Sequence, residues 1–129
     1  MIYTLENLEV FTLSESFGDK IWFEVIKWTY FEKDTVGKQL VKSADSISAN
    51  IAEGYGRYTF KEDTRFLHIA RGSATESKSW LRKCKRRRLM KEEIAEELLS
   101  ELEIILKKIN AYINFVEKGT TRNQRAINK

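Results

Sequence analysis

Lys42–Gly56, K-S-A-D-S-I-S-A-N-I-A-E-G-Y-G, is the stretch on which the fold turns. Leu40, Ala44, Ile47, Ile51 and Tyr55 recur every three or four residues, so they line one face of an α-helix. The small residues beside that face let another helix come close. Ser46, Asn50 and Glu53 form a polar stripe next to it at the same spacing, and Gly54 and Gly56 are natural places for the helix to end or kink. The partner stretch is Gly72–Glu76, G-S-A-T-E, in which Ser73 and Glu76 flank the small positions Ala70, Ala74 and Ser77.

Outward from this pair the chain reads as four helices. Ser14 is an expected N-cap, with Phe17, Ile21, Val25 and Trp28 marking the core face of a first helix to about residue 31. The thirteen residues before it hold apolar side chains, Ile2 to Phe11, without a clean period, and are expected to form an arm packed on the bundle or on a neighbour. The second helix runs from Asp34 or Thr35 to about residue 56. Thr59 and Glu62 form a capping-box pattern opening a third helix over 60–88, whose core face is Phe60, Leu67, Ala70, Ala74, Ser77, Leu81 and Cys84. A fourth helix over 91–117 repeats Leu98, Leu102, Ile105, Ile109, Tyr112 and Val116 in four-three spacing, with Gly119 as its stop. The short connections make neighbours antiparallel, giving an all-α, up-down four-helix bundle over 1–117 and a basic tail, 118–129, expected to be disordered.

Composition agrees with this reading. One domain is expected from 129 residues, 42% apolar, without proline and with a third of the side chains charged. Met1–Ser14 holds no uninterrupted apolar run, so neither a signal peptide nor a membrane span is expected and the protein reads as cytoplasmic. Cys84 falls on the apolar face as a small core residue. His68 has Arg65, not Glu, three residues before it, so the di-iron bundle pattern is missing and no metal or other cofactor is expected. No phosphate loop or nucleophile elbow occurs, and the chain is not expected to be an enzyme.

N-I-A-E-G followed by G-S-A-T-E resembles the four-helix-bundle proteins encoded in intervening sequences of bacterial large-subunit ribosomal RNA genes, and their relatives, the accessory proteins of diversity-generating retroelements. Many members carry proline where this chain has Ser48, a departure that leaves the helix unkinked. The resemblance implies a homo-oligomer, often a pentameric ring, and for the retroelement relatives binding of RNA and of a reverse transcriptase. The polar residues that carry it, Asn50, Glu53, Ser73 and Glu76, have two readings: a ligand site, or hydrogen bonds between helices that fix register. The second is preferred.

Charge and exposed apolar surface supply the remaining expectations. The net charge is +4, all of it accounted for by Lys118, Arg122, Arg125 and Lys129, so the body is formally neutral. Within the body, Arg82 to Lys91 is free of acids and is followed by the acidic run from Glu92 to Glu103. The two runs suit the helix ends and can pair across the turn. The bases nevertheless extend beyond the last turn: Lys61, Arg65, His68, Thr75, Ser79, Lys83 and Arg86 form an outward stripe roughly 37 Å long. Lys61, Arg65, Lys83, Arg86, Arg87 and Arg88, with the basic tail, are therefore the expected contacts for the phosphates of a structured RNA or a ribonucleoprotein. Trp22, Phe23, Ile26 and Tyr30 extend the apolar arc of helix one beyond what one bundle covers, and Ile104, Ala111 and Phe115 make a second stripe on helix four. These are the expected oligomer interface. An oligomeric adaptor binding a protein, without nucleic acid, is the alternative function.

Overall fold

The computed structural model describes residues 4–127, with side chains described for 4–119. Four helices pack as an antiparallel bundle: α1, Glu9–Val25; α2, residues 30–55; α3, Phe60–Arg86; and α4, Glu92–Ile127. Each helix packs on its neighbours in chain order, and α4 closes the ring against α1. The polarity of each pair is visible in its contacts. Lys20 meets Glu101 and Lys108 meets Glu9 across α1 and α4, while Lys85 meets Glu96 and Lys78 meets Glu103 across α3 and α4. The centre is filled by Phe17, Ile21, Leu40, Ile47, Ile51, Leu67, Leu81, Leu102 and Ile109, all fully buried.

The first helix begins earlier than the sequence suggested. Ser14 is not an N-cap; it lies inside α1, fully buried, and its Oγ donates to the Val10 carbonyl at 2.7 Å. A hydroxyl satisfied on its own preceding turn can occupy a core position. Val10, Ser14, Phe17, Ile21 and Val25 therefore make one continuous face. Of the expected arm, only a single turn, Leu5–Asn7, stands apart from the helix; Ile2 lies outside the described residues.

The boundary between the first two helices also moves. α1 ends at Val25, and Thr29 starts α2 through a reciprocal capping box: Glu32 N–H donates to Thr29 Oγ1 at 3.3 Å, and Thr29 N–H to Glu32 Oε1 at 3.1 Å. Tyr30 thus belongs to the first turn of α2, not to helix one. A wide π turn, Lys33–Gly37, follows and turns Val36 and Gly37 inward before the regular segment Lys38–Tyr55.

α3 opens as expected, with Thr59 Oγ1 accepting from Glu62 N–H at 3.2 Å. It closes on a Schellman motif, in which Leu89 N–H reaches the Cys84 carbonyl and Arg88 N–H the Lys85 carbonyl. Arg88 occupies the left-handed position, at φ 57°, where glycine is the usual residue. The α4 backbone runs through Gly119 to Ile127 instead of stopping there. A glycine within a helix costs only about 1 kcal/mol relative to alanine, and no proline follows it. The expected disordered tail thus has helical backbone as far as Ile127, and its last two residues lie outside the described ones.

The two glycine motifs play different parts. A Cβ on Gly54 would stand 2.6 Å from Asp63 Oδ1, 2.9 Å from the Asp63 carbonyl and 3.0 Å from Phe66 Cβ, whereas one on Gly72 would meet nothing within 4 Å. Gly54→Ala should therefore cost about 1 to 3 kcal/mol by forcing α2 and α3 apart. Gly72→Ala should instead gain about 0.5 to 1 kcal/mol through helix entropy. Thermal melts of the two variants moving in the same direction would contradict this assignment.

Candidate nucleic-acid interface

The polar residues between α2 and α3 form a ladder of short side chains. Ser43 and Ser77 meet at 2.9 Å, and Ser46 meets Ser73 at 2.9 Å. Asn50 Nδ2 donates to the Ser46 carbonyl at 2.8 Å and to Ser46 Oγ at 2.9 Å. Asn50 and Ser73 are thus joined through Ser46, and the ladder ties the register of the two helices together. Glu53 and Glu76 stand outside it. Glu53 pairs with Arg57 at 2.6 Å one turn along, and Glu76 accepts from the Trp80 indole N–H at 3.2 Å; both are exposed. Helical spacing could not separate them from Asn50 and Ser73, because that separation depends on how the facing helix is rotated.

Asp63 is the acidic core residue that the sequence reading passed over. It lies one step back in the four-three series Leu67, Ala70, Ala74, Ser77, a position where an acid is unexpected and therefore detectable. Only 6% exposed, it has an Oδ1 with no hydrogen-bond partner among the described residues, directed at Gly54. Burial pushes its carboxyl up to about 6. Burial also raises the Cys84 thiol to about 11, leaving it an inert core group. Among the described residues no three His, Cys, Asp or Glu side chains converge in a way that could hold a metal ion, and no helix is long and apolar enough to cross a membrane.

The basic stripe divides into two halves. At its start, Arg65 donates twice to Glu62 Oε2, at 3.2 and 3.0 Å, and its guanidinium lies 4.8 Å from the Phe66 ring centre, with Arg57 at the same distance. Those two arginines are held by carboxylates and an aromatic ring. His68 is exposed, as expected, with Nδ1 2.9 Å from Arg71 and Nε2 3.8 Å from Glu117. Lys61 is exposed and has no carboxylate within ion-pair distance among the described residues.

The other half is far more available. Lys83 sits over Trp80, 5.0 Å from the ring centre, and donates to Ser79 Oγ at 3.4 Å. Arg82, Arg86, Arg87, Arg88 and Lys91 have no carboxylate partner among the described residues. Between the end of α3 and the start of α4 lies a groove of about 1050 Å³ lined by Lys78, Arg82, Lys85, Arg86, Arg88 and Lys91 and by three carboxylates, Glu92, Glu96 and Glu103. Glu96 is taken up by Lys85, whose amine it raises through their hydrogen bond, and Glu103 by Lys78 at 2.5 Å. The acidic run thus neutralises part of the basic one, and a surplus of cations remains at the turn. Arg82 and Lys91 belong to this surplus, although the sequence stripe did not include them; the tail cations Arg122, Arg125 and Lys129 lie outside the described side chains.

The apolar residues expected at an interface are exposed. Trp22, Phe23, Ile26 and Tyr30 face outward at the end of the bundle where α1 meets α2, joined by Phe31. Ile104 and Ala111 are exposed along α4, and Phe115, 62% exposed, stacks on Tyr112 with ring centres 6.2 Å apart.

Comparison with known proteins gives a family and a similar solved fold. Residues 6–111 match the family model described as 23S rRNA-intervening sequence protein. A crystal structure of a protein of unknown function from the S23 ribosomal protein family, from Bacteroides thetaiotaomicron, superposes with a TM-score of 0.73 at 25% identity, covering 81% of this chain and 97% of that one. No curated protein gives a significant match.

Asp63 ties stability to pH. Its folded pKa lies above the usual 3.8, so its contribution is fully present below that value and is lost as pH rises through about 6. Asp63→Asn should therefore stabilise the bundle by about 1 to 3 kcal/mol at neutral pH and flatten the melting temperature between pH 4 and 7. Melts across that range check it; an unchanged slope in the variant would mean that Asp63 is ionised at no cost.

Proposed function

We propose, for a chain that belongs to the 23S rRNA-intervening sequence protein family, a non-enzymatic role: binding structured RNA, or a ribonucleoprotein, through the cations at the end of α3. The observation that carries this reading is the surplus of Arg82, Arg86, Arg87, Arg88 and Lys91, all without carboxylate partners among the described residues and gathered at one turn. Cations that have acid neighbours gain little from phosphate; these gain most, by releasing the counterions of the nucleic acid. Such contacts position an RNA backbone and do not read its sequence. Lys83 and Thr75 extend the same face along α3, and Lys61 stands at its far end. Arg65 is a weaker candidate because Glu62 already holds it.

Arg88 supports the reading from the backbone side. A non-glycine residue in the left-handed region costs roughly 1 kcal/mol or more, and here it keeps a guanidinium at the cationic turn. Replacing Arg82, Arg86 and Arg88 together by Gln should weaken RNA binding for all sequences and lower the slope of log affinity against log salt by about 0.7 to 0.9 for each lost contact. Arg88→Gly alone should raise stability by about 1 kcal/mol while weakening binding. Titrations across a salt series decide this, and unchanged affinity in the triple variant would remove the α3 end from the interface.

A second reading, an oligomeric protein adaptor, is favoured by the exposed apolar side chains. Trp22 and Phe23 on α1, Ile26 at its C-terminus, and Ile104 and Phe115 on α4 are about half exposed or more, and exposed apolar side chains that form a contiguous patch mark interaction sites. We assign these surfaces to contacts between copies of the chain, with the five-membered ring that the family resemblance implies as the leading stoichiometry. The oligomer is compatible with RNA binding, since neither Phe115 nor Ile104 lines the groove that holds Arg82, Arg86, Arg88 and Lys91. Burying each of those two side chains would contribute about 1.5 to 3 kcal/mol. Ile104→Glu with Phe115→Glu should therefore dissociate the assembly with helix content kept. Light scattering that finds the parent protein at the mass of one chain would refute the oligomer and, with it, the adaptor.

A further inference from the structure

At the end of the bundle where the α1–α2 and α3–α4 turns meet, a groove of about 620 Å³ runs between them. Its floor is apolar: the Trp28 indole with Leu89, Met90 and Ile94. Its rim is cationic, with Arg88 and Lys91 on the α3–α4 side, neither held by a carboxylate among the described residues. The acids that line it are already engaged, Glu24 with Lys27 at 3.0 Å and Glu32 in the Thr29 capping box. Tyr30 and Phe31, 79% and 73% exposed, continue aromatic surface from the same turn. Apolar side chains, an indole among them, beside unpaired cations suit a planar group that carries a phosphate.

We propose that this groove seats an unpaired nucleotide of the bound RNA, its base against Trp28, Leu89 and Met90 and its phosphate between Arg88 and Lys91. The inference rests on the RNA-binding reading and adds to it a preference for RNA with looped or splayed bases over continuous duplex. A duplex offers phosphates to the cations but keeps its bases stacked inside, so the apolar floor stays empty; an unpaired base has a free face to stack. Charge argues against a second copy as the occupant. The two charges left without partners in the groove are both cationic, which suits an anionic group and not the exposed apolar side chains assigned above to contacts between copies.

The test uses the full chain with Trp22→Phe and Trp80→Phe, so that Trp28 is the only indole, with the mass of this assembly first matched to the parent's because Trp22 belongs to the proposed contact between copies. The probes are an RNA hairpin with an unpaired adenosine loop and a blunt continuous duplex of the same stem. The hairpin should bind roughly fivefold tighter or more, the factor expected of one stacked base, and should quench Trp28 fluorescence, while the duplex should leave it unchanged. Arg88→Gln with Lys91→Gln should abolish the hairpin preference and weaken duplex binding less. Equal affinity for the two probes with unquenched Trp28 overturns the nucleotide seat and leaves the phosphate-binding role standing; failure of both probes to bind overturns both. A hairpin preference that survives the double variant places the loop elsewhere. If that variant instead reduces the mass of the assembly, the groove belongs to a second copy; either result overturns the inference.

Discussion

The bundle depends on how closely α2 approaches α3. Ser43 and Ser46 on one helix meet Ser77 and Ser73 on the other, Gly54 meets Asp63, and Ala44, Ala70 and Ala74 are fully buried beside them. Close approach gives dispersion contacts along the whole seam and places each hydroxyl against another, so that polar groups in a narrow space have partners. At Gly54 the fit is tightest, because the backbone and carboxylate of Asp63 occupy the volume that a side chain would need. With α2 and α3 locked in rotation and register, the outward face of α3 is fixed too. The cations at its end are held in one array by a seam that they never touch.

Charge on this molecule follows a division of labour between the two ends of α3. At the start, Glu53 and Glu62 hold Arg57 and Arg65 around the Phe66 ring, a self-contained set of weak surface interactions. At the end, acids from α4 reach Lys78 and Lys85 but leave the arginines of the turn without partners among the described residues. Favourable interaction with the α3 dipole explains the presence of bases there, but not their number or the left-handed arginine at the turn. The RNA binding proposed above gives both a reason. The exposed apolar side chains of α1 and α4 are those assigned above, as a proposal, to contacts between copies of the chain.

Helix number, order and inward faces were legible in the sequence. Apolar residues at helical spacing can be satisfied in only one way when every connection is short, and the family motifs N-I-A-E-G and G-S-A-T-E mark the seam directly. The end of α1 was not legible, because Trp28, Tyr30 and Phe31 continue an apolar pattern through a turn, and the capping box at Thr29 outweighs that pattern locally. Ser14 was misplaced for a related reason: the same residue type caps a helix or sits inside one according to where its hydroxyl finds an acceptor.

For the candidate site, the sequence by itself determined which side chains are cationic and that α3 carries them outward, since both follow from residue identity and a helical period. Only the tertiary structure decided which of them are available. Whether a lysine meets a glutamate depends on the rotation and register of two helices: Lys85 and Lys78 find Glu96 and Glu103, Arg65 turns back on Glu62, and Arg82, Arg86, Arg88 and Lys91 find no carboxylate among the described residues. The same holds for the polar seam, where Ser46 links Asn50 to Ser73 and leaves Glu53 and Glu76 in water. A periodic pattern gives the direction in which a side chain leaves its own helix; its partner is set by the distance to another.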